Sequence, residues 1–419
     1  MTALPVSDAE RIESLDVLRG FALLGILAMN IRAMAAPFGA YMTPSAFFPY
    51  DGASRAAYVF TQVFFDLKMM GLFSMLFGAG VLLYAAKPTE SGHPPRGLWF
   101  RRMFWLLAIG LVHAYLIWDG DILVPYALCG LLVLWWVRNW SVKALAASAM
   151  LFLMIGASLG IVQGLMWNSM PEADRAAQLA VFGPTPEQAQ MQLNAMLGSY
   201  AQVIAHRAPF VFMAQTMFFA VFFLWRCGGM MLLGMALYKS GFLQGQWTSR
   251  AYVIAAAVCV PLGLLLAAYG AAGLERIQYA MPQRTSVDIW NYAGAVFASV
   301  GYAAALLLLV KDRAVPALRR RLAAVGQMAL SNYLLQSIVT AIVFLGAGFG
   351  FAGRLDYAEQ LLFVIAVWAL QLAVSPIWLA HFRFGPAEWV WRSLTYWRRQ
   401  PLRRRVPETT HVGRIPAGA

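Results

Sequence analysis

Apolar residues along this chain stand in long, uninterrupted runs that are separated by short polar segments. The runs cover residues 17–36, 57–86, 99–118, 121–138, 142–168, 208–238, 250–270, 288–310, 322–346 and 357–380. A helix needs about 20 apolar residues to cross a bilayer. Because lipid cannot satisfy free backbone groups, such runs predict helices, whereas barrel strands would alternate apolar and polar residues. The pattern predicts an all-α, polytopic transmembrane helix bundle with ten spans, one for each run.

Composition and charge support a membrane protein and give its orientation. The chain is 61% hydrophobic and 12% charged, which is too apolar for a soluble protein of 419 residues. Of the Lys and Arg outside the runs or near their ends, 22 fall on the side of the termini and 6 on the other side. Cytoplasmic loops carry such an excess, so both termini are predicted to be cytoplasmic. The basic residues are spread over several loops, and no nucleic-acid partner is predicted.

The segment 169–206 is the longest polar connection, and it falls on the predicted periplasmic side. Thr185, Pro186 and Gln188 have the pattern of a helix start, with a capping Thr, Pro at the first position and Gln at the third. The segment is therefore predicted to be helical. It forms either a cap over a periplasmic pocket or an ordinary surface helix.

The C-terminal segment 382–405 alternates Trp and Tyr with Arg. This composition is typical of the headgroup layer of an anionic leaflet and predicts an interfacial helix. Membrane anchoring and binding of an anionic cytoplasmic ligand are both compatible with it. The basic tail 401–419 is predicted to be disordered.

Three ionisable residues lie deep within apolar runs. Asp66 and Lys68 are in the second run and Arg226 is in the sixth. Ionisable groups at membrane depth are costly and are frequently functional. Arg226 requires a counter-ion, and Asp66 is the predicted one. The pair is interpreted either as a lock between two helices or as part of a pocket.

His113 lies near the outer end of the third run, and Asp119 and Asp121 follow it on a tight turn. A carboxylate beside an imidazole orients the ring and raises its basicity, which suits a general base. A histidine satisfied by a neighbouring helix is the alternative interpretation. Nothing supplies a third ligand at suitable spacing, so no metal site is predicted.

Asn332 and Gln336 are four residues apart in the ninth run and share one helix face. Hydrogen bonding between helices explains such a pair, and a contribution to a substrate pocket is the other interpretation. Gly78 and Gly80 in the second run are predicted to permit close helix contact.

Five stretches resemble the YeiB-like proteins, a bacterial inner-membrane family that carries the domain of unknown function 418. They are SLDVLRGFALLGILAMN at 14–30, LFSMLFGAG at 72–80, GDIL at 120–123, ALSNYLLQS at 329–337 and FRFGPAEWVWRSLTY at 382–396. The last of these is the most specific. The resemblance implies a multi-pass protein of the bacterial inner (cytoplasmic) membrane.

The first half of that family is similar to the transmembrane acyltransferase superfamily, which includes heparan glucosaminide acetyltransferases and acyltransferase family 3. The resemblance implies an acyltransferase-like region at 11–310 and a family-specific region at 311–400 with two spans. It also implies that an acyl group moves from cytoplasmic acyl-CoA, the expected co-substrate, to a periplasmic or lipid-linked acceptor.

The chain lacks the histidine that each of these two enzyme groups has near its first helix. Acyltransferase family 3 has an arginine, ten residues and a histidine in its first helix, and this chain has Arg19 and then Asn30. The glucosaminide acetyltransferases have asparagine there and use a histidine in the following loop. This chain has no histidine between Gly20 and Gly92.

The acyl-transfer hypothesis assigns a role to each candidate residue. Asp16 and Arg19 would bind acyl-CoA, with Arg19 holding a phosphate. Asn30 would polarise the thioester carbonyl, and His113, oriented by Asp121, would remove the acceptor proton. The substrate pocket is predicted to include the polar residues Asp66, Lys68, Arg226, Asn332 and Gln336.

The alternative hypothesis is a small-molecule or lipid transporter in which Asp66, Arg226 and His113 line a path for protons or an anion. No internal repeat is visible in the sequence, which favours acyl transfer because many transporter folds are built from repeats. The missing loop histidine favours transport. The sequence leaves open a scaffold role and a homodimer; the expected partners are the lipid bilayer and a small-molecule, glycan or lipid acceptor.

Overall fold

The structure, a computed structural model, describes residues 13–86 and 95–404. Within these ranges the chain is mostly helical and contains no β-strand, and its one extended pairing is a bridge between Phe382 and Arg403. The α-helices are α1 (Glu13–Met34), α2 (Gly39–Met42), α3 (Gly52–Phe64), α4 (Lys68–Ala85), α5 (Pro95–Val112), α6 (Leu123–Cys129), α7 (Trp135–Val137), α8 (Val142–Leu165), α9 (Glu172–Phe182), α10 (Pro186–Met196), α11 (Tyr200–Met213), α12 (Leu224–Lys239), α13 (Ser249–Arg276), α14 (Gln283–Lys311), α15 (Pro316–Gln327), α16 (Ala329–Phe344), α17 (Tyr357–His381) and α18 (Pro386–Tyr396). Three π-helical stretches, His113–Ile117, Gly130–Leu134 and Ala214–Phe223, continue α5, α6 and α11.

Eight helical segments of the described chain are long and apolar enough to cross a membrane. They are Glu13–Met34, Gly52–Ala85, Arg96–Ile117, Val142–Leu165, Tyr200–Lys239, Ser249–Arg276, Gln283–Lys311 and Tyr357–His381. The remaining two predicted runs correspond to the shorter apolar helix Leu123–Val137 and to α15 and α16, which are bent by 82°. The predicted all-α membrane bundle is confirmed, while the number of spans and the side of the termini stay predictions.

The bundle has two ends that α1 connects. At one end Arg319 Nε lies 2.8 Å from Glu13 Oε1, and the Arg102 guanidinium lies 3.5 Å from the centre of the Trp391 ring. At the other end Trp118 Nε1 donates to the carbonyl of Ala33, 3.2 Å away. The first is called the terminal end, because α1 begins and α18 ends there. The second is called the distal end.

Glycines bring the central helices into backbone contact. A Cβ atom on Gly326 of α15 would lie 1.9 Å from the Asp16 carbonyl oxygen of α1, so α1 and α15 touch through their backbones. In α4, a Cβ on Gly78 would lie 2.0 Å from the Met231 carbonyl oxygen of α12. The close contact predicted for Gly78 is confirmed, whereas Gly80 faces open space.

The second apolar run is not one straight helix. It breaks at Asp66 and Leu67, and Leu67 has a φ of 57°, a left-handed conformation that interrupts the helix between α3 and α4. The carboxylate of Asp66 therefore lies at a helix junction, in a direction that a continuous helix would not give it.

The ninth apolar run is also broken, at Met328 between α15 and α16. Glu388 of α18 accepts hydrogen bonds from the backbone of Leu330 and Ser331, at 2.6 and 3.1 Å, and so caps the start of α16. Burial raises the pKa of Glu388, and the hydrogen bonds from Ser331 oppose that rise. The interfacial helix predicted near the C-terminus thus fixes the start of α16.

The predicted helix start at Thr185 is confirmed. Thr185 Oγ1 accepts from the Gln188 backbone at 3.3 Å, and Gln188 Oε1 accepts from the Thr185 backbone at 3.0 Å. Of the predicted disordered tail, residues 401–404 pair with the end of α17, as when Arg383 donates to the carbonyl of Leu402 at 2.9 Å. Residues 405–419 lie outside the described residues.

Gly78→Ala is expected to lower the melting temperature by several degrees, because the new methyl group would push α4 and α12 apart. Gly80→Ala is the matched control, since it makes the same change two residues later where nothing lies within 4 Å. The intrinsic gain of about 1 kcal/mol from replacing Gly with Ala in a helix applies to both. Thermal unfolding of the purified protein in detergent measures the difference, and equal melting temperatures for the two variants would contradict this packing.

Candidate functional site

A cavity of about 350 Å³ opens at the distal end of the bundle. Its walls come from the end of α1, the connection after His113, helices α9 to α11, and α16. The segment 169–206 contributes Ala180, Gln192 and Met196 to the lining, so it covers a cavity and is not a plain surface helix. The polar or ionisable side chains of the lining belong to Trp118, Asp119, Gln192, His206, Arg207, Ser337 and Thr340.

His113 is fully buried beside this cavity and both of its ring nitrogens have partners. Nδ1 lies 2.8 Å from Asp121 Oδ1, and Nε2 lies 2.9 Å from Ser337 Oγ. The second oxygen of Asp121 accepts from the Val124 backbone at 2.7 Å, so the carboxylate is fixed at the start of α6. The contact that the sequence predicts between His113 and Asp121 is present.

For a neutral imidazole and an ionised carboxylate, these contacts fit one tautomer of His113. An ionised carboxylate only accepts hydrogen bonds, so His113 Nδ1 must carry the hydrogen that Asp121 accepts. Nε2 of the neutral imidazole then has a free lone pair and accepts from the hydroxyl of Ser337. The arrangement has the geometry of a base oriented by a carboxylate and bonded to a hydroxyl group.

Aromatic rings fix the plane of the imidazole. The ring of Tyr333, one turn before Ser337 on α16, has its centre 4.9 Å from that of His113. The ring of Trp118, on the connection that follows His113, has its centre 6.3 Å from that of the His113 ring. Trp118 and Ser337 also line the cavity, whereas His113 itself does not. The histidine therefore reaches the cavity through Ser337 Oγ.

The cavity also carries opposite charges on its wall. Arg207 donates to the carbonyl of Ile117 at 2.7 Å, which holds its guanidinium against the connection that contains Asp119. Burial raises the pKa of Asp119, and the positive charge of Arg207 opposes this rise. Ser337, Arg207 and Asp119 were not predicted as a group, because α16, α11 and the 118–122 connection are far apart in the sequence.

Asp16 and Arg19 lie at the terminal end, on the first turns of α1. Arg19 donates to Asp16 Oδ1 at 2.8 Å, and the arginine side chain is 28% exposed. Arg102 lies within electrostatic range of both Arg19 and Arg392. The two residues predicted to bind acyl-CoA are thus brought together, next to further positive charge.

The predicted ion pair between Asp66 and Arg226 is wrong. Arg226 donates to the carbonyl of Tyr292 at 2.9 Å, and its guanidinium lies 4.4 Å from the centre of the Tyr292 ring. Asp66 instead accepts from Tyr41 and, at 2.8 Å, from Asn291 Nδ2. The helix break at Leu67 turns the Asp66 carboxylate toward α14. The second apolar run predicts one continuous helix, in which the carboxylate would point in another direction.

Asp66 and Lys68 are linked by a shared amide. Lys68 is fully buried, and its Nζ donates to Asn291 Oδ1 and, at 3.0 Å, to the carbonyl of Gln62. Because Asn291 also donates to Asp66, one side chain on α14 satisfies both charged groups. None of Asp66, Lys68 and Arg226 lines the distal cavity.

The other predicted pocket residues are placed between helices. Asn332 Nδ2 donates to Ser375 Oγ at 3.0 Å, and Gln336 Nε2 donates to Gln371 Oε1 at 2.9 Å. These contacts tie α16 to α17, which matches the interhelical interpretation. Asn30 is half-buried on α1, outside the lining of the cavity.

Asn291→Ala is expected to destabilise the protein strongly, because it leaves two buried charged groups without their shared partner. Each lost hydrogen bond to a charged group costs about 1.5–3 kcal/mol. Asn194→Ala, an exposed position on α10, is the control. Thermal unfolding in detergent should show a large drop in melting temperature for the first variant only; similar curves for the two would disprove the bridging role.

Comparison with known proteins gives the family. Residues 237–398 match the family described as a protein of unknown function, DUF418. The chain is 33% identical to the uncharacterized protein YeiB of Escherichia coli over 402 residues, which is 92% of this chain and 96% of YeiB. It is 30% identical to the uncharacterized protein YxaH of Bacillus subtilis over 415 residues, covering 96% of this chain and 98% of YxaH. The chain therefore belongs to the YeiB-like family that carries DUF418.

Proposed function

We propose that this protein is an integral-membrane acyltransferase whose reaction takes place at the distal cavity. The observation that carries the proposal is the buried His113, which contacts Asp121 through one ring nitrogen and Ser337 through the other, directly behind the cavity wall. A buried imidazole oriented by a carboxylate and open to a hydroxyl group has the geometry of a general base in acyl transfer.

The base works by taking a proton at Nε2. Since Nδ1 keeps its hydrogen and donates it to Asp121, the imidazolium formed at Nε2 is stabilised by the adjacent negative charge. An acceptor hydroxyl or amine in the cavity loses its proton toward Nε2 by way of Ser337 Oγ. The cationic Arg207 on the same wall suits the negative charge that develops on an acyl oxygen.

The donor we propose is acyl-CoA, bound from the terminal end. Arg19, with Asp16 beside it and Arg102 nearby, provides the positive charge that a phosphate requires. From Arg19 to Ala33, at the cavity, α1 rises about 21 Å. A donor with a long flexible arm, such as acyl-CoA, suits two sites that are this far apart. Asn30 lies on α1 between the two sites and outside the lining of the cavity, so its position is along the path of the arm and not at the reacting carbonyl.

The proposed orientation places the terminal end in the cytoplasm of a bacterial inner membrane. The excess of Lys and Arg in the loops on that side supports it. The cavity then faces the periplasm, and its largely apolar walls, with a few polar groups, suit a lipid-linked or glycan acceptor.

Transport of a small molecule or lipid is the second candidate function. The buried set of Asp66, Asn291 and Lys68 favours it, because charged groups at membrane depth frequently mark a transport path. Each of these groups has hydrogen-bond partners, however, and none lines the cavity. Acyl transfer is therefore the better supported proposal.

His113→Ala is expected to lower the rate of acyl transfer at least 100-fold, the usual contribution of a general base. The assay measures release of free CoA thiol from acetyl-CoA or palmitoyl-CoA by the protein in proteoliposomes made from total bacterial lipid extract. His381→Ala changes an exposed histidine at the terminal end and is the control. A His113→Ala variant with the turnover of the wild type would refute the base assignment.

Arg19→Ala is expected to weaken CoA binding at least tenfold, because one charge-assisted hydrogen bond contributes about 1.5–3 kcal/mol. Isothermal titration calorimetry with CoA measures the dissociation constant in detergent. Arg320→Ala, which removes an exposed arginine of α15, controls for the loss of net charge. If both variants bind CoA like the wild type, Arg19 is not part of the donor site.

A further inference from the structure

Ser337 stands between the base and the cavity. His113 is fully buried and does not line the cavity, whereas Ser337 of α16 does. Ser337 Oγ lies within hydrogen-bonding distance of His113 Nε2, at 2.9 Å. A substrate in the cavity therefore meets the serine oxygen before it can meet the imidazole.

The hydroxyl of Ser337 has two acceptors within reach, His113 Nε2 at 2.9 Å and the carbonyl of Tyr333 at 3.4 Å. The shorter contact favours donation to the histidine. Because Nδ1 holds the ring hydrogen for Asp121, Nε2 has no hydrogen to donate, and its contact with Ser337 requires the serine to be the donor. Transfer of that hydrogen to Nε2 leaves a nucleophilic oxygen at the cavity wall.

Two other buried hydroxyl groups in the described part of the bundle, those of Ser299 and Thr340, have ordinary structural partners. Ser299 donates to the backbone carbonyls of Lys68 and Ala295, and Thr340 donates to that of Gln336 at 2.8 Å. These contacts satisfy a hydroxyl group inside a helix bundle without activating it. Ser337 differs because its shorter contact is to an imidazole that a carboxylate orients.

We propose that Ser337 is a nucleophile and that acyl transfer proceeds in two steps through an acyl-serine ester. This rests on the acyl-transfer function proposed above and adds a covalent intermediate to it. Asp121, His113 and Ser337 then form a carboxylate, imidazole and hydroxyl series with the roles known from serine hydrolases.

The first step forms the ester. Ser337 Oγ attacks the carbonyl carbon of the acyl thioester while His113 Nε2 takes the hydroxyl proton. The carbon–sulfur bond breaks, and the CoA thiolate leaves and receives that proton. The protein now carries the acyl group, and His113 is neutral again.

The second step regenerates the free hydroxyl group of Ser337. The hydroxyl group or amine of the acceptor gives its proton to Nε2 and attacks the ester carbonyl. The bond to Ser337 Oγ breaks, and the serine oxygen takes the proton back. The products are the acylated acceptor and the free enzyme, with no other reactant required.

A fluorophosphonate probe tests the nucleophile without any knowledge of the natural donor. Such probes phosphonylate a serine that a neighbouring base activates. Purified full-length protein is treated in detergent, digested and analysed by mass spectrometry. We expect the label on the peptide that contains Ser337, no label in Ser337→Ala, and labelling at least 100-fold slower in His113→Ala. Ser299→Ala should label like the wild type; labelling that persists in Ser337→Ala, or its complete absence from folded wild-type protein, would overturn the proposal.

A second experiment traps the intermediate. Protein incubated with acetyl-CoA is denatured and digested, and the masses of its peptides are measured by mass spectrometry. The expected result is an acetyl group on Ser337 that survives neutral hydroxylamine. Ser337→Cys keeps the shape of the side chain and should give a thioester that neutral hydroxylamine cleaves. An adduct that stays resistant in this variant lies elsewhere and contradicts the proposal.

Release of CoA thiol separates this proposal from the function it rests on. If the wild type releases CoA thiol and His113→Ala does not, but Ser337 carries neither the probe nor an acetyl group, transfer is direct and only the covalent step is wrong. If the wild type labels at Ser337 but releases no thiol from any acyl-CoA, the nucleophile stands and the proposed donor is wrong.

Discussion

The structure depends on one constraint: a polar side chain inside an apolar bundle must find its partners within the protein. His113 meets it with a contact at each ring nitrogen, which fixes the connection before α6 against α16. Asn291 provides a hydrogen-bond partner for both Asp66 and Lys68. Arg226 meets the constraint only in part, through one hydrogen bond and the face of the Tyr292 ring, while its Nε and Nη2 atoms have no hydrogen-bond partner among the described residues. These contacts decide which helices are neighbours and so where a cavity can form.

The same constraint separates structural polar groups from the candidate site. Asn332 and Gln336 bond to α17, and the Asp66 set is enclosed between α3, α4 and α14. The His113 series, in contrast, ends at a hydroxyl group on the wall of the distal cavity. A polar group whose partners lie wholly within the packed helices stabilises the bundle, whereas one that ends at open space can take part in chemistry.

The sequence predicts the parts of the fold that local pattern controls. The apolar runs coincide with helices, and the Thr185 cap and the close contact at Gly78 are where they were expected. The His113 and Asp121 contact was predictable because only a tight turn separates them in the chain. Breaks in helices were not predicted, since no proline or glycine marks Leu67. Partners from distant segments, such as Ser337 for His113 and Asn291 for Asp66, depend on helix packing and left no signal in a single sequence.

The central claim is that an acyl group reaches the distal cavity from a donor held at the terminal end. Cryo-electron microscopy of the full-length protein with a thioether analogue of palmitoyl-CoA, which cannot be cleaved, tests it most directly. The account predicts phosphate density beside Arg19 and density for the acyl end against Ser337. Analogue density that avoids the cavity, with the acyl chain directed into lipid, would contradict it.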